Sequence, residues 1–325
     1  MPLQGSNTKG KIILECLLYF NNKINYERKS MSFTTVLFPI LAALSGAEQF
    51  MQLSPNWVAV NPIQENFLAY LPNKDEQLSK LSGEELKTIA SFDYKVINKF
   101  LADHKFDKQL EPFNSPGEFG VASILNVLIE WIHEGKTTTI MHNNQEFPAV
   151  SMTGNDFEVL QSNAYKEPIL KLTAKNGDIV YMTIAEKSLE SFELLEFVQT
   201  LLKMPKNEIT KQYVEAIFPM VNLNHETDIS WLIGLGTSRL RDNCFFNIAQ
   251  AKQQTKFQMN EKGAHVQSAV AISIKEMCYI EPKPLKTLVI NKPFYLWIER
   301  PGANMPIFTS YIDPIDWKKP DTITD

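Results

Sequence analysis

QMNEKGAHVQSAVAISIKEMCYIEPKPLKTLVINKPF, residues Gln258 to Phe294, sets a strand-like run between a hinge and a breaker. From Ala264 to Ile274, alternate residues Ala264, Val266, Ser268, Val270, Ile272 and Ile274 are small or apolar. His265, Gln267, Ala269, Ser273 and Lys275 between them are polar or small. That is the period of two of a strand with one buried face. Gly263 precedes the run as a hinge, and Pro282 and Pro284 behind it deny it a continuous ladder. The segment reads as strand chemistry in a place where no strand continues. The plainer alternative is an ordinary strand already seated in a sheet.

The rest of the chain supplies the setting. Its 325 residues are 44% hydrophobic and 21% charged, an ordinary globular composition able to bury a substantial core. A net charge of −5 without a basic cluster argues against nucleic acid or an anionic membrane as partner. Cys16, Cys244 and Cys278 are too scattered for a disulfide framework or a Cys-x-x-Cys motif. No apolar run reaches membrane-spanning length, and Ile12–Phe20, with Glu15 in its middle, reads as an amphipathic helix and not as an export signal.

Taken in order, Thr34–Gln52 predicts a buried helix kinked by Pro39, and Asn61–Leu81 a polar helix and loop. Gly83–Phe106 has helical spacing, as does Phe119–His133 through Ile124, Leu125, Leu128, Ile129 and Ile132, although part of the latter also fits a strand. Asn176-Gly177 between two apolar runs predicts a hairpin joining Ile169–Ala174 to Asp178–Ile184. Ser188–Leu202 reads as a helix, Tyr213–Leu223 as a strand interrupted by Pro219, and Leu285–Ile298 and Ile307–Ile312 as closing strands. Helices in the first half and strands in the second predict an α+β fold in a single domain, 1–325.

At this point the chain resembles the serpin family. Leu288–Ile298, LVINKPFYLWI, resembles the family signature that follows the reactive-centre loop, and Asn260-Glu261-Lys262-Gly263 resembles the loop hinge. Phe147–Met152, Ala216–Val221, Leu235-Gly236 and Pro306–Pro314 are similar to other serpin passages, and Ile12–Leu44 to its first helices. Phe113–Lys136 is similar to the helix over the main sheet; alternatively, Leu125–Trp131 is the strand that borders the insertion gap. The resemblance implies N-terminal helices packed on a large mixed sheet, smaller C-terminal sheets and an exposed loop. It further implies inhibition of a serine protease, whose cleavage of the loop lets the loop insert as a new strand.

Family spacing from a hinge of Glu261, Lys262, Gly263, Ala264 and Val266 puts the reactive bond at Met277-Cys278, which suits an elastase- or chymotrypsin-like protease. Lys275 is the alternative reactive position, for a trypsin-like one. The likeness further implies a monomer acting outside the cell, with a cytoplasmic location as alternative. Three features depart from the family: Val266 and Gln267 are bulky for a hinge; the helix read over Gly120–Gly135 runs almost directly into Thr137–Phe147 and leaves no room for the long strand that borders the insertion gap; and Gln253 stands where a His usually controls sheet opening, with Ser30-Met31 in place of Ser-Pro. The competing reading is a non-inhibitory binding protein whose loop does not insert. An enzyme is not expected: the five histidines are dispersed, Gly234-Leu235-Gly236-Thr237 lacks the rest of a phosphate loop, and Glu186, Glu190 and Glu193 follow a solvated helix face. Nothing calls for a cofactor or metal.

Overall fold

The computed structural model describes residues 31–107, 109–114, 118–154, 156–163, 165–264 and 286–320. All but Met31 belong to one compact unit, Ser32–Asp325.

The chain enters through β1 (Phe33–Thr35) into α1 (Phe38–Met51). Pro39 lies in the first turn, where its missing N–H costs nothing, so it starts this helix and does not kink it. Gln52, in the left-handed region at φ 55°, ends it. Asn61 caps α2 (Pro62–Leu68), its side chain accepting from the Gln64 N–H, and α3 (Lys74–Leu78) follows. The predicted helix over Gly83–Phe106 is in fact a strand and a helix, β2 (Leu86–Ser91) and α4 (Tyr94–Asp103). Asp93 divides them by accepting from the Lys95 N–H.

The apolar run after it is also extended: β3 (Gly120–Leu125) and β4 (Ile129–Glu130). The helical reading of Phe119–His133 is therefore corrected. The strand alternative for its second half holds at β4, and the helix of this region is α4, which lies against the two-stranded ladder of β2 and β3.

Strands dominate from there. The hairpin of β5 (Lys136–His142) and β6 (Gln145–Thr153) turns on Asn143 and Asn144, both at positive φ. Next come β7 (Glu158–Ser162), β8 (Ile169–Thr173) and β9 (Ile179–Ile184). The predicted β8–β9 hairpin is present, with a three-residue loop: the Gly177 N–H donates to Ala174 O at 3.0 Å, and of the Asn-Gly pair only Gly177 has positive φ. Then follow α5 (Ser191–Lys203), β10 (Lys206–Glu208), β11 (Tyr213–Pro219) and β12 (Val221–Thr227). The strand expected over Tyr213–Leu223 is thus two strands, in different sheets, changing over at Met220 after Pro219. Last come β13 (Gly236–Ser238), β14 (Phe245–Asn247), β15 (Gln253–Met259), β16 (Gly263–Ala264), β17 (Lys286–Val289), β18 (Phe294–Glu299) and β19 (Phe308–Ile312).

Seven strands form one sheet in the order β1-β19-β18-β9-β8-β7-β10, antiparallel throughout. The expected mixed pairing falls instead in the four-stranded sheet β17-β11-β6-β5, where β17 runs parallel to β11. In β18, Phe294, Leu296 and Ile298 join the main core, while Tyr295 and Trp297 face a second core with Leu194, Val198 and Leu201 of α5. Burial on both faces explains the unbroken apolar run FYLWI.

Candidate functional site

The hinge sequence Asn260-Glu261-Lys262-Gly263 folds as a tight turn at the end of β15. Asn260 and Gly263 exchange backbone bonds of 3.0 and 3.3 Å, and the Asn260 side chain accepts from the Lys262 N–H at 2.9 Å. The turn reverses the chain, and the next two residues pair antiparallel with β4: Gly263 opposite Glu130, Ala264 opposite Ile129. Gly263 sits at φ +106°, and a Cβ there would lie 2.5 Å from Ile129 O and 2.6 Å from Trp131 N. Only glycine fits that approach.

Trp131 fastens the turn. Its backbone N–H donates to Lys262 O at 3.3 Å, its indole Nε1–H donates to Asn260 O at 3.0 Å, and its ring packs edge-on to Phe218. Gly135 N–H reaches Glu261 O at 2.7 Å. Glu130 is held from the other side by Lys175, through a 3.0 Å ion pair and a 2.8 Å backbone bond. A small cleft lined by Ile129, Trp131, Val180, Phe257, Met259 and Gly263 opens beneath the hinge.

The strands on either side are unusual in one respect. Among the described residues, β3 forms a ladder only with β2, and β15 only with β12. Each has one edge without a ladder, and β16, which follows β15, pairs with β4, which follows β3. The faces of the Gly120–Trp131 run are set apart by parity. Val121, Leu125 and Val127 pack on the main core, to which Ile129 and Trp131 belong, and Val121 approaches α1 at Gly46. Gly120 instead lies beneath Ile97 of α4 and beneath Leu110 and Phe113.

Gln253, on β15, is buried and donates from Nε2 to Val36 O at 2.9 Å, just before α1. An amide here makes a buried bond that does not titrate, unlike the histidine the resemblance leads one to expect.

Of the proposed site residues, Glu261, Lys262, Gly263 and Ala264 are thus brought against β4 and Trp131. Val266, Lys275, Met277 and Cys278 lie outside the described residues, as do Cys16, His265 and Ile12–Phe20. Glu130, Trp131 and Lys175 were not singled out as a site by sequence reading, and the one signal for them was Trp131 at the end of an apolar run. The four described histidines have separate partners: His104 the Phe100 carbonyl, His133 Asp156, His142 the Asn291 carbonyl and His225 Asp316. No metal-binding group of His, Cys, Asp or Glu occurs among the described residues. Gly234, at φ +88°, follows a short 3-10 turn, and the Thr237 hydroxyl donates to Ser54 O and Asn56 O.

Compared with solved structures, the chain is similar to uncleaved ovalbumin (TM-score 0.56, 12% identity, 91% of this chain and 96% of that one). It is similar also to Serpin48, described as a highly specific serpin of the insect Tenebrio molitor (0.54, 14%, 88% and 92%). The fold is that of the serpins. Thyroxine-binding globulin in complex with thyroxine shares this serpin fold at TM-score 0.52 and 11% identity, over 93% of this chain and 97% of that one. Neither a protein-family model nor a curated protein matches the sequence. No described helix is long and apolar enough to cross a membrane.

Proposed function

We propose that the chain is a divergent serpin that inhibits a serine protease by cleavage and insertion of its reactive loop. One observation carries the reading: the first two residues after the turn already pair with β4 in a defined register. Continued along Gly120–Glu130, pairs of Gly263 with Glu130 and Ala264 with Ile129 set Val266 opposite Val127, Ser268 opposite Leu125, Val270 opposite Ser123 and Ile272 opposite Val121. Directly opposed residues share a face of a sheet. The apolar set of the loop therefore falls on the face that β3 turns toward α1, and Ala269 and Ala271 fall opposite Ile124 and Ala122, the crowded face under α4. A loop with no place in the sheet has no need of that phase.

The partner in this reading is a serine protease, elastase- or chymotrypsin-like for a bond at Met277-Cys278 and trypsin-like for one after Lys275. The inhibitor acts as a monomer outside the cell and is not an enzyme. Incubation with one protease of each kind tests it. A denaturant-stable complex, with the bond mapped by mass spectrometry, is the expected result; simple nicking without a complex overturns it.

The second reading, a binding protein whose loop does not insert, draws on the bulk of Val266 and Gln267. It predicts that nicking the loop leaves Tm where it was, whereas insertion raises it.

A further inference from the structure

The segment from Lys105 to Glu111, between α4 and β3, is tied at both ends. Asn98 of α4 holds Leu110 by two bonds, 2.8 Å from the Leu110 N–H and 2.9 Å to its carbonyl. On the other side, three side chains at and before β15 grip the same segment. Gln250 accepts from the Glu111 N–H at 2.8 Å and donates to Glu111 O at 3.2 Å. Gln254 accepts from the Asp107 N–H at 2.8 Å and donates to Asp107 Oδ2 at 3.1 Å and to Asn224 Oδ1 at 2.7 Å. Lys256 donates to Lys105 O and stands 5.5 Å from the Phe106 ring. Phe119 meets Phe246 edge-on at 6.1 Å.

Resting on the insertion reading above, we propose that Gln250, Gln254 and Lys256 form a clasp that sets the rate at which the loop enters beside β3. No ladder joins β15 to β3 among the described residues; the clasp ties β15 instead to the segment after α4, which Asn98 fastens to the helix lying against β3. A strand entering between them moves the two apart by one strand spacing, about 4.8 Å. Bonds of about 3 Å do not survive a shift of that size. Every rung of the clasp must therefore open before insertion passes Ala264, and opening them is part of the barrier to insertion.

The test nicks the full-length chain in its loop with a chymotrypsin-like protease and follows insertion by tryptophan fluorescence, with Tm before and after. The Gln250→Ala/Gln254→Ala variant is expected to convert about fivefold faster or more, reaching the final state of the wild type. Lys171→Ala, which loses the 2.8 Å Lys171–Glu158 pair on β8 and β7, is expected to convert at the wild-type rate. An unchanged rate in the double variant, or equal acceleration by Lys171→Ala, overturns the clasp while leaving insertion standing. A wild type that gains no stability on nicking overturns the insertion reading and the clasp with it.

Discussion

Gly263 faces Glu130 across an antiparallel bridge so close that backbone atoms of Ile129 and Trp131 occupy the space a side chain would need. The turn residues, the positive φ and the pairing with β4 all depend on this one contact. Gly263→Ala is expected to destabilise the uncleaved protein by about 3 kcal/mol, because the new Cβ meets backbone and not the flexible end of a side chain. Urea denaturation measures it, and an unchanged midpoint would show that β16 does not hold this position in solution.

Trp131 ties the same turn by its indole. Trp131→Phe keeps the apolar bulk and removes the Nε1–H bond to Asn260 O, for an expected loss of about 1 kcal/mol. Trp131→Ala also empties a buried site packed on Phe218, and a loss of about 3–5 kcal/mol is expected. Thermal and urea unfolding of the two variants separate the bond from the packing.

Arg300, after β18, joins two distant parts of the chain, donating to both Glu85 oxygens and both Asp178 oxygens at 2.7–2.9 Å. Asp178 is 1% exposed, so Arg300→Ala leaves a buried carboxylate without its cation, with an expected cost of about 3–5 kcal/mol. Burial by itself would raise the Glu85 carboxyl, but hydrogen bonds from Arg300 and Ser82 outweigh it and hold it below its ordinary 4.5. A carboxylate lowered on folding adds stability above its unfolded value and gives it up as pH falls through the folded one. Wild-type stability should therefore decline on acidification below about pH 4.5, and Arg300→Ala should flatten that part of the profile. Urea midpoints from pH 6 to pH 3 report both, taking about 4.5 as the upper edge of the window.

Gln253 offers a fourth test. Gln253→Leu retains the volume but leaves Val36 O without its buried donor, and a loss of about 1–3 kcal/mol is expected by urea denaturation. Gln253→His, which offers a ring N–H in its place, is expected to recover part of it.

These residues also show why some of the fold was legible and some was not. The β8–β9 hairpin was readable because Gly177 answers a local need for positive φ. The break at Gly263 was readable for the same kind of reason, and the structure makes it a tight turn, with an Asn that caps it and a Gly at its close. Phe119–His133 misled because β3 packs on both faces, one half-buried toward the main core and one buried under α4, while Leu128 and Ile132 are apolar yet exposed. With apolar residues at both parities, Ile124, Leu125, Leu128 and Ile129 fit a helical stripe as well as a strand. Gln250 and Gln254 gave no signal at all, since a glutamine's value here lies in backbone groups 139 and 147 residues away.

The register seeded at Gly263 makes a prediction that separates two faces of one strand. Val270 and Ile272 fall on the core side in the continued pairing, whereas Gln267, opposite Asn126, falls on the outer side. Val270→Glu or Ile272→Glu would bury a carboxylate with no cation beside it once the loop inserts. Either variant should therefore keep the wild-type Tm before nicking and lose most of the rise after it, while Gln267→Glu keeps both. A slip of one residue reverses the pattern, because the period of a strand is two. Differential scanning calorimetry on nicked and intact samples of the three variants decides the outcome. If Gln267→Glu loses the rise and Val270→Glu keeps it, the strand enters in a register other than the one that Gly263 and Ala264 begin.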